Sequence, residues 1–405
     1  CRLNAFESKI IEANLPSESN VSRVVFKSCA VTSEAVRQVK QSIRKTRRQN
    51  PDVEIVVTGC AAQIDPEIFE HMAEVDHVIG NEEKLSPDIW SRLSTERVIV
   101  NDIMNIKETA PQMVAGFKGR FRAFAQIQQG CDHRCTFCII PYGRGNSRSV
   151  PIGEIVKQFR LLIKNGYKEF VLTGVDITSY GPDLPGQPRL GTMIKRLLKN
   201  VEGIERLRLS SVDPSEIDED LLDLIANEKR LMPSLHLSVQ AGNDLILKRM
   251  KRRHLRDDVI KLSTLLREIR PDIVLGADLI AGFPTETEEM FKQTIDLISE
   301  AELLHLHIFP YSARTGTPAA KMPQVTSNIK KMRARLLREA GVELVAKHLS
   351  KRVGRIETVL LEQNDTGYTN QFFPMKVYGN HQPGEIITAK VDNVMEDNTL
   401  VGSTS

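Results

Sequence analysis

Three of the six cysteines lie within eight residues, as Cys131, Cys135 and Cys138 in the spacing CxxxCxxC. Three thiolates this close suit a [4Fe-4S] cluster, which normally takes four cysteine ligands. Three protein ligands leave one iron open, which is what a cluster needs to bind and reductively cleave S-adenosylmethionine (SAM). We therefore predict that these cysteines are catalytic cluster ligands. A structural zinc site usually pairs CxxC with a second such motif, and none follows nearby. A disulfide is the other alternative.

The remaining cysteines, Cys1, Cys29 and Cys60, are far apart, and each stands at the end of an apparent strand. Helical patterns follow Cys29 and Cys60, and Ser33 is the expected cap of the first of these helices. The repeat of strand, cysteine and helix predicts an open α/β sheet, in which ligand sites gather at the carboxyl ends of the strands. The three thiols can form a second site with one open iron. They can equally be unrelated cysteines packed as small apolar groups.

Residues 120–348 alternate short apolar strands with amphipathic helices, which predicts an incomplete parallel β/α barrel. The chemistry of such barrels lies at the carboxyl ends of the strands. The alternative for each strand end is an ordinary turn that needs glycine and polar caps. We expect His133 and Arg134, inside the cysteine loop, to shape the loop or face solvent rather than bind a ligand. The predicted strands are 124–128, 170–174, 207–212, 235–240, 274–280 and 304–310. The SAM-binding candidates at their ends are Gly174, Asp176, Ser238, Gln240 and Asp278.

The last part of the chain, 350–405, follows a long basic helix predicted over 328–355. Strand signals at 357–361, 373–378 and 386–391, separated by turn residues, predict a small all-β barrel of a kind often used to bind nucleic acid. Aromatic side chains there can stack on bases, or at least half of them can fill the core of the barrel. These side chains are Tyr368, Phe372, Phe373 and Tyr378.

The composition suits a protein of two or three domains, with 405 residues, 41% hydrophobic and 26% charged residues. No apolar run approaches a membrane span, and no signal peptide is visible. We expect a cytoplasmic protein without membrane attachment. Cysteines in this spacing, in a reducing compartment, favour metal over disulfides. The chain begins at Cys1 rather than at Met, so we expect residues to precede it.

Several segments resemble the radical-SAM methylthiotransferases, and the resemblance extends over essentially the whole chain. It is strongest to the members that convert N6-threonylcarbamoyladenosine in tRNA to its 2-methylthio derivative. The Phe26-Lys27-Ser28 before Cys29 departs from the family, which more often has Asn-Thr there, but the cysteine itself is kept. The matching segments are Cys1-Arg2-Leu3-Asn4, Ser28-Cys29-Ala30-Val31-Thr32, Thr58-Gly59-Cys60-Ala61, CDHRCTFCIIP from Cys131 and LTGVDITSYG from Leu172.

The resemblance implies three domains: a methylthiotransferase domain at 1–115, a radical-SAM barrel at 120–348 and an RNA-binding TRAM domain at 350–405. It also implies SAM and two [4Fe-4S] clusters, one held by Cys1, Cys29 and Cys60, and one by Cys131, Cys135 and Cys138. The expected reaction adds a methylthio group to C2 of the modified adenosine in a tRNA anticodon loop. We expect a reductant such as flavodoxin or ferredoxin and a monomeric protein, and the sequence does not indicate the sulfur donor.

Three alternatives to this function stay open. The same chemistry can act on N6-isopentenyladenosine in tRNA, or on a side chain of a ribosomal protein. A non-catalytic RNA-binding iron–sulfur protein belongs to a different class. An electron carrier has no use for a missing fourth ligand, so the cysteine spacing favours an enzyme.

Overall fold

The N-terminal part of the protein is an open α/β layer. A computed structural model describes residues 2–15, 22–93, 96–107, 113–117 and 119–404, so Cys1 lies outside the described residues. Four parallel strands pair in the order β1-β2-β3-β4, which confirms the open sheet. The strands are β1 Arg23–Ser28, β2 Glu54–Gly59, β3 His77–Ile79 and β4 Val98–Ile99, and the helices are α1 Arg2–Asn14, α2 Ser33–Gln49, α3 Cys60–Ile64, α4 Glu67–Glu70 and α5 Pro87–Arg92.

The cap of α2 differs from the prediction. Thr32, not Ser33, is the N-cap, because its backbone is extended and its hydroxyl accepts a hydrogen bond from the Ala35 amide at 3.2 Å. Ser33 begins the helix instead. Its hydroxyl and amide lie 2.8 and 3.1 Å from the hydroxyl of Ser312, which belongs to the central barrel.

The central region is an incomplete β/α barrel, as predicted. Its six barrel strands form two parallel sheets, β5-β8-β9 and β10-β11-β12, joined by the isolated bridges Leu207–Leu231 and Val212–Leu237. Each predicted strand is present with ends within three residues of those expected, and the largest difference is β9, which ends at Leu209 rather than at residue 212. The strands are β5 Arg122–Gln126, β8 Glu169–Thr173, β9 Arg206–Leu209, β10 Ser234–Gln240, β11 Val274–Ala281 and β12 Leu303–Pro310, and a small hairpin pairs β6 Gln128–Gln129 with β7 Arg148–Ser149.

Helices cover the outside of the barrel and bury its apolar strand residues. Along β10, Leu235, Leu237 and Val239 are buried, while the alternate residues from Ser234 to Gln240 are partly accessible from the lumen. Polar side chains therefore point into the barrel. The helices are α6 Ile140–Arg144, α7 Ile152–Lys164, α8 Leu190–Asn200, α9 Glu219–Asn227, α10 Asp244–Arg249, α11 Arg256–Ile269, α12 Glu288–Glu300 and α13 Ser327–Ser350.

The C-terminal region is a closed five-stranded barrel in the order β13-β14-β15-β17-β16. The barrel confirms the prediction, but two strands were missed, β14 and β17, because each has only four residues and contains a glycine. The preceding helix α13 ends at Ser350 rather than at residue 355. The strands are β13 Ile356–Leu361, β14 Thr366–Thr369, β15 Pro374–Tyr378, β16 Ile386–Val394 and β17 Leu400–Ser403.

The small barrel closes the lower end of the large one. Phe372 stacks on Tyr368 with ring centroids 4.7 Å apart, and the Arg122 and Arg208 guanidinium groups lie 4.6 and 5.0 Å from the Phe372 centroid. Phe373 is buried in the core of the small barrel. Of the four aromatic residues, only Tyr378 is strongly exposed. Phe373 thus takes the alternative role in the core of the small barrel, whereas Tyr368 and Phe372 contact the large barrel.

A buried ion cluster lies at this junction. Glu169, 1% exposed, forms ion pairs with Arg122, Arg206 and Arg208 at N–O distances of 3.0, 2.9 and 2.9 Å. Arg206 and Arg208 each also donate to the carbonyl of Thr369, at 2.9 Å. One carboxylate therefore holds three arginines that in turn anchor the small barrel.

None of the described helices is long and apolar enough to cross a membrane.

We predict that Glu169→Gln lowers the free energy of unfolding by about 3 kcal/mol, because removing one partner of a buried ion pair leaves uncompensated charge. Urea denaturation measures the change. Glu205→Gln is the matched control, since Glu205 meets Lys168 at 3.9 Å on the surface and such pairs contribute roughly 0–1 kcal/mol. Equal midpoints for the two variants would contradict the role of Glu169.

Candidate active site

The cysteine loop follows the hairpin strand β6 and lies across the carboxyl ends of the barrel strands. The Cys131 amide donates to Gly145 O at 3.1 Å, and the Thr136 hydroxyl donates to Arg249 O at 2.6 Å. The loop is therefore fixed at both sides. All five cysteines in the described ranges are free thiols.

The electrostatics of this loop disfavour bare thiolates. Burial, and then the nearby Asp176 carboxylate, raises the pKa of Cys131 well above its ordinary value. Burial, together with the Cys135 and Cys60 sulfurs, raises the pKa of Cys138 to about 11. The Arg252 guanidinium lies 3.8 Å from the Cys135 sulfur and places a positive charge beside the three cysteines of the loop. Sulfurs that repel one another in this way suit a metal centre, because coordination stabilises thiolates.

Asp176, one of the predicted strand-end residues, lies beside Cys131, with Oδ2 3.8 Å from Sγ. The same oxygen is 3.1 Å from His133 Nε2, and Glu216 Oε1 is 3.5 Å from that nitrogen. These two hydrogen bonds raise the pKa of His133 to about 10. His133 is therefore paired with carboxylates and shapes the loop, the first of the two roles expected for it. Arg134 shapes the loop as expected, donating to Cys131 O at 2.8 Å.

Gly174 precedes Asp176 at the end of β8, where Gln128 leaves no space for a side chain. The Gln128 side-chain oxygen accepts from the Val175 and Asp176 amides at 3.0 and 2.9 Å. A Cβ on Gly174 would lie 2.8 Å from that oxygen. Gln128 thus fixes the loop that holds Asp176, a role that no pattern in the sequence indicated.

A cavity of about 290 Å³ opens on the other side of the cysteine loop. Cys138, Gln240 and Asp278 line it from the barrel, and Val31 and Thr32 line it from the N-terminal layer. This cavity touches Cys138 and the segment after Cys29, and we call it the upper cavity. Of the predicted SAM-binding residues, Gln240 and Asp278 thus lie on the Cys138 side, and Gly174 and Asp176 on the Cys131 side.

Ser238 lies between these two sides. Its carbonyl accepts from Arg252 at 2.6 Å, and Arg252 also pairs with Asp213 at 2.8 Å. Arg252 therefore connects the end of β10 to Cys135. The role of Arg252 was not predicted, although the basic run Lys251-Arg252-Arg253 is visible in the sequence.

Cys29 and Cys60 lie side by side at the edge of the N-terminal sheet. Ser28 and Gly59 are paired in the register of β1 and β2, and each cysteine follows directly. Gly59 has φ of +101°, and a Cβ there would lie 2.3 Å from Ser28 O, so only glycine allows this approach. The convergence predicted for these two cysteines is present. The third, Cys1, precedes α1 and lies outside the described residues.

A buried polar network joins Cys60 to the barrel. Arg144 Nε donates to the Cys60 sulfur at 3.2 Å, and Arg144 also pairs with Glu7, which is fully buried. Lys84 donates to Glu7 at 2.8 Å and to Asn81 at 2.6 Å. Asn81 in turn lies 3.7 Å from the Cys60 sulfur. Arg144 belongs to α6, just after the cysteine loop, so the network connects the two cysteine groups.

The network fixes the charges of its members. Burial alone would raise the pKa of Glu7, but Arg144 and Lys84 outweigh it and hold the value at about 2. Burial likewise would lower the pKa of Arg144, yet Cys60 and Glu7 raise it. No pattern in the sequence indicated that Glu7, Lys84, Asn81 and Arg144 would meet in one network.

Comparison with known proteins places this site in a family. Residues 126–298 match the radical SAM superfamily, and residues 1–80 match a family described as uncharacterized protein family UPF0004. The threonylcarbamoyladenosine tRNA methylthiotransferase MtaB of Rickettsia prowazekii is 52% identical over 396 residues, covering 98% of this chain and 94% of that protein. The chain belongs to the radical-SAM methylthiotransferase family. A radical-SAM methylthiotransferase uses a [4Fe-4S] cluster and SAM.

Other proteins are also similar to this chain. The MtaB protein of Aquifex aeolicus is 35% identical, with 96% of this chain and 97% of that protein covered. A tRNA-2-methylthio-N(6)-dimethylallyladenosine synthase of Lawsonia intracellularis is 33% identical, with 90% and 85% covered. Among solved structures, the radical SAM methyltransferase TsrM of Kitasatospora setae superimposes with a TM-score of 0.56 at 16% identity, covering 79% of this chain and 67% of that one. This last likeness concerns the fold alone.

We predict that acid destabilises the protein through Glu7. Its pKa in the folded protein, about 2, is below the ordinary 4.5, so its contribution to stability is present above 4.5 and is lost as the pH falls toward 2. Glu7→Gln should therefore lower the urea midpoint at neutral pH and flatten its decline in acid.

The control for this prediction is Glu12→Gln, because Glu12 is exposed and pairs with Lys9 in the same helix. It should leave both the midpoint and its dependence on pH unchanged. An acid transition of Glu7→Gln that is as steep as that of the wild type would contradict the assignment.

Proposed function

We propose that this protein is a tRNA methylthiotransferase that adds a methylthio group to C2 of N6-threonylcarbamoyladenosine next to the anticodon. The 52% identical relative of this name, covered over almost its whole length, supports the substrate. The observation that carries the proposal is the link from the Cys60 sulfur through Arg144 to the cysteine loop. A reaction that needs two sulfur-ligated centres at one substrate requires this proximity.

We assign Cys131, Cys135 and Cys138 to the cluster that binds SAM, and Cys1, Cys29 and Cys60 to a second [4Fe-4S] cluster. The donor set fits the first, since three free thiols on one fixed loop lie beside a cavity and a guanidinium. It also fits the second, since Cys29 and Cys60 are adjacent at a sheet edge and Arg144 lies beside the Cys60 sulfur. Gly174, Asp176, Ser238, Gln240 and Asp278 are our candidates for contacts to SAM.

The residues around the site position reactants rather than transfer protons. C2 of adenine has an inert C–H bond, so acid–base catalysis is of little use, and bound SAM and iron–sulfur clusters supply the radical chemistry that the bond requires. Arg252 and the Thr136 contacts hold the cysteine loop in place. The Ser33–Ser312 hydrogen bonds hold the N-terminal layer against the barrel beside the upper cavity. The protein thereby orients the reacting groups and limits the access of water.

We divide the chain into a methylthiotransferase domain at 1–115, the radical-SAM barrel at 120–348 and a TRAM domain at 350–405. The substrate adenosine lies in the anticodon loop, where an unpaired base can be turned out and its edge reached. The basic residues of α13 and the exposed Tyr378 are the surfaces we assign to the tRNA. We expect a cytoplasmic monomer that receives electrons from a flavodoxin or ferredoxin.

Two cysteine variants separate the roles of the two clusters. Cys135→Ala should abolish the conversion of SAM to 5'-deoxyadenosine by the reduced protein. Cys29→Ala should retain that conversion and lose methylthiolation. Chromatography of 5'-deoxyadenosine and mass spectrometry of the nucleosides measure the two activities. If Cys29→Ala still methylthiolates its substrate, the second cluster is wrongly assigned.

Nucleoside mass spectrometry of tRNA from cells with and without the protein tests the substrate. Loss of 2-methylthio-N6-threonylcarbamoyladenosine, with accumulation of its precursor, is the expected result. Loss of the methylthio group from the isopentenyl nucleoside instead would keep the reaction and change the substrate. No change in either nucleoside would favour a protein substrate.

A further inference from the structure

A second cavity, of about 330 Å³, lies deeper in the barrel and has no part in the assignment above. We call it the lumen chamber, and Arg2, Arg122, Arg208, His236, His305 and His307 are among its lining residues. Phe372 of the small barrel lies at its lower end. Asp278 lines the upper cavity, while its two ion-pair partners, His236 and His307, line the chamber. Asp278 therefore stands between the two spaces.

The charges around the lumen chamber do not balance. Four arginines meet three carboxylates there. Three of the arginines are used, because Arg122, Arg206 and Arg208 share Glu169, and Arg122 also pairs with Glu362. The fourth, Arg2, makes no hydrogen bond or ion pair with any residue in the ranges that the structure describes. An unpaired guanidinium that lines a cavity is a binding group for an anion.

His307 adds a second unused polar group. Its Nδ1 lies 3.1 Å from Asp278 Oδ1, and its side chain is 58% exposed within the open lumen. A carboxylate accepts hydrogen bonds, so Asp278 selects the tautomer in which Nδ1 carries the proton. The Nε2 of the neutral ring is then an acceptor that faces the chamber. It suits an O–H or N–H donor on a ligand.

We propose that the lumen chamber binds the threonylcarbamoyl substituent and selects for it, with Arg2 on the carboxylate and His307 Nε2 on the hydroxyl or a ureido N–H. The inference rests on the proposed function and adds the residues that recognise the modified base. An adenine edge held in the upper cavity directs its N6 substituent past Asp278 into the chamber. An isopentenyl group has neither charge nor donor, so it would leave Arg2 unpaired, which disfavours it.

The test measures binding first, so that it does not depend on turnover. Fluorescence anisotropy gives the affinity of the reconstituted protein for anticodon stem-loop RNAs that carry the threonylcarbamoyl group, its carboxamide or an isopentenyl group. Wild type should bind the acid about 10–100-fold more tightly than the carboxamide, the range expected for a charge-assisted hydrogen bond. Arg2→Gln should reduce this preference to within about twofold, because it weakens binding only of the RNA that carries the acid.

Lys9→Gln is the matched control, because it removes the same charge from the same helix at a residue that pairs with Glu12. It should keep the full preference for the acid. His307→Ala should weaken the acid and the carboxamide equally, about 3–10-fold, because both retain the hydroxyl and the ureido group. It should not change binding of the isopentenyl RNA. His307 is distant in sequence from the cysteines, so this variant tests the chamber even if Arg2→Gln disturbs a cluster.

Equal affinity of wild type for the acid and the carboxamide would overturn the inference, as would equal weakening of all three RNAs by Arg2→Gln. Mass spectrometry of the same RNAs after turnover separates this failure from that of the proposed function. Absence of a methylthio product on every RNA counts against the function. If product forms equally fast on the acid and the carboxamide, the proposed function stands and the role of the lumen chamber in selecting the substituent is wrong.

Discussion

The Glu7–Arg144 ion pair is the interaction on which the rest of the site depends. Both side chains are almost fully buried, and a buried charge is stable only when it is paired and hydrogen-bonded. Glu7 comes from α1, Lys84 from the N-terminal layer and Arg144 from the segment after the cysteine loop, so three distant stretches must assemble before the charges are satisfied. Once they do, the Cys60 sulfur is held against the guanidinium of Arg144, and the position of one cysteine group determines that of the other.

The lower end of the barrel follows the same physical rule, again with a buried carboxylate at its centre. Glu169 collects three arginines, and two of these turn their remaining donors to carbonyl groups of the small barrel. The aromatic pair Tyr368 and Phe372 covers the flat faces of the guanidinium groups. The small barrel is thus held at a fixed position below the site. Tyr368 and Phe372 contribute to this attachment rather than to an exposed binding surface.

The elements of the fold were predictable because each is encoded locally. Short apolar runs gave all six barrel strands, and CxxxCxxC gave the cluster loop, since both patterns span few residues. The four-residue strands β14 and β17 are too short to show the alternation of apolar and polar residues that indicates a strand. The contact between Glu7 and Arg144 joins residues 137 apart in the chain, and the pairing of His133 with Glu216 likewise depends on tertiary structure. A single sequence carries no trace of such contacts, so the grouping of the cysteines was predictable but the residues that surround them were not.

Helix α1 has a consequence for how this architecture can change. Arg2 and Glu7 are five residues apart on it, a rise of about 7.5 Å, and one lines the lumen while the other joins the buried network. Chimaeras that exchange the N-terminal layer between relatives must exchange Glu7, Lys84 and Arg144 as a set, although Arg144 belongs to the barrel segment. Recombination at the apparent boundary near residue 115 would separate them. The unit that can be inherited intact is therefore larger than either domain.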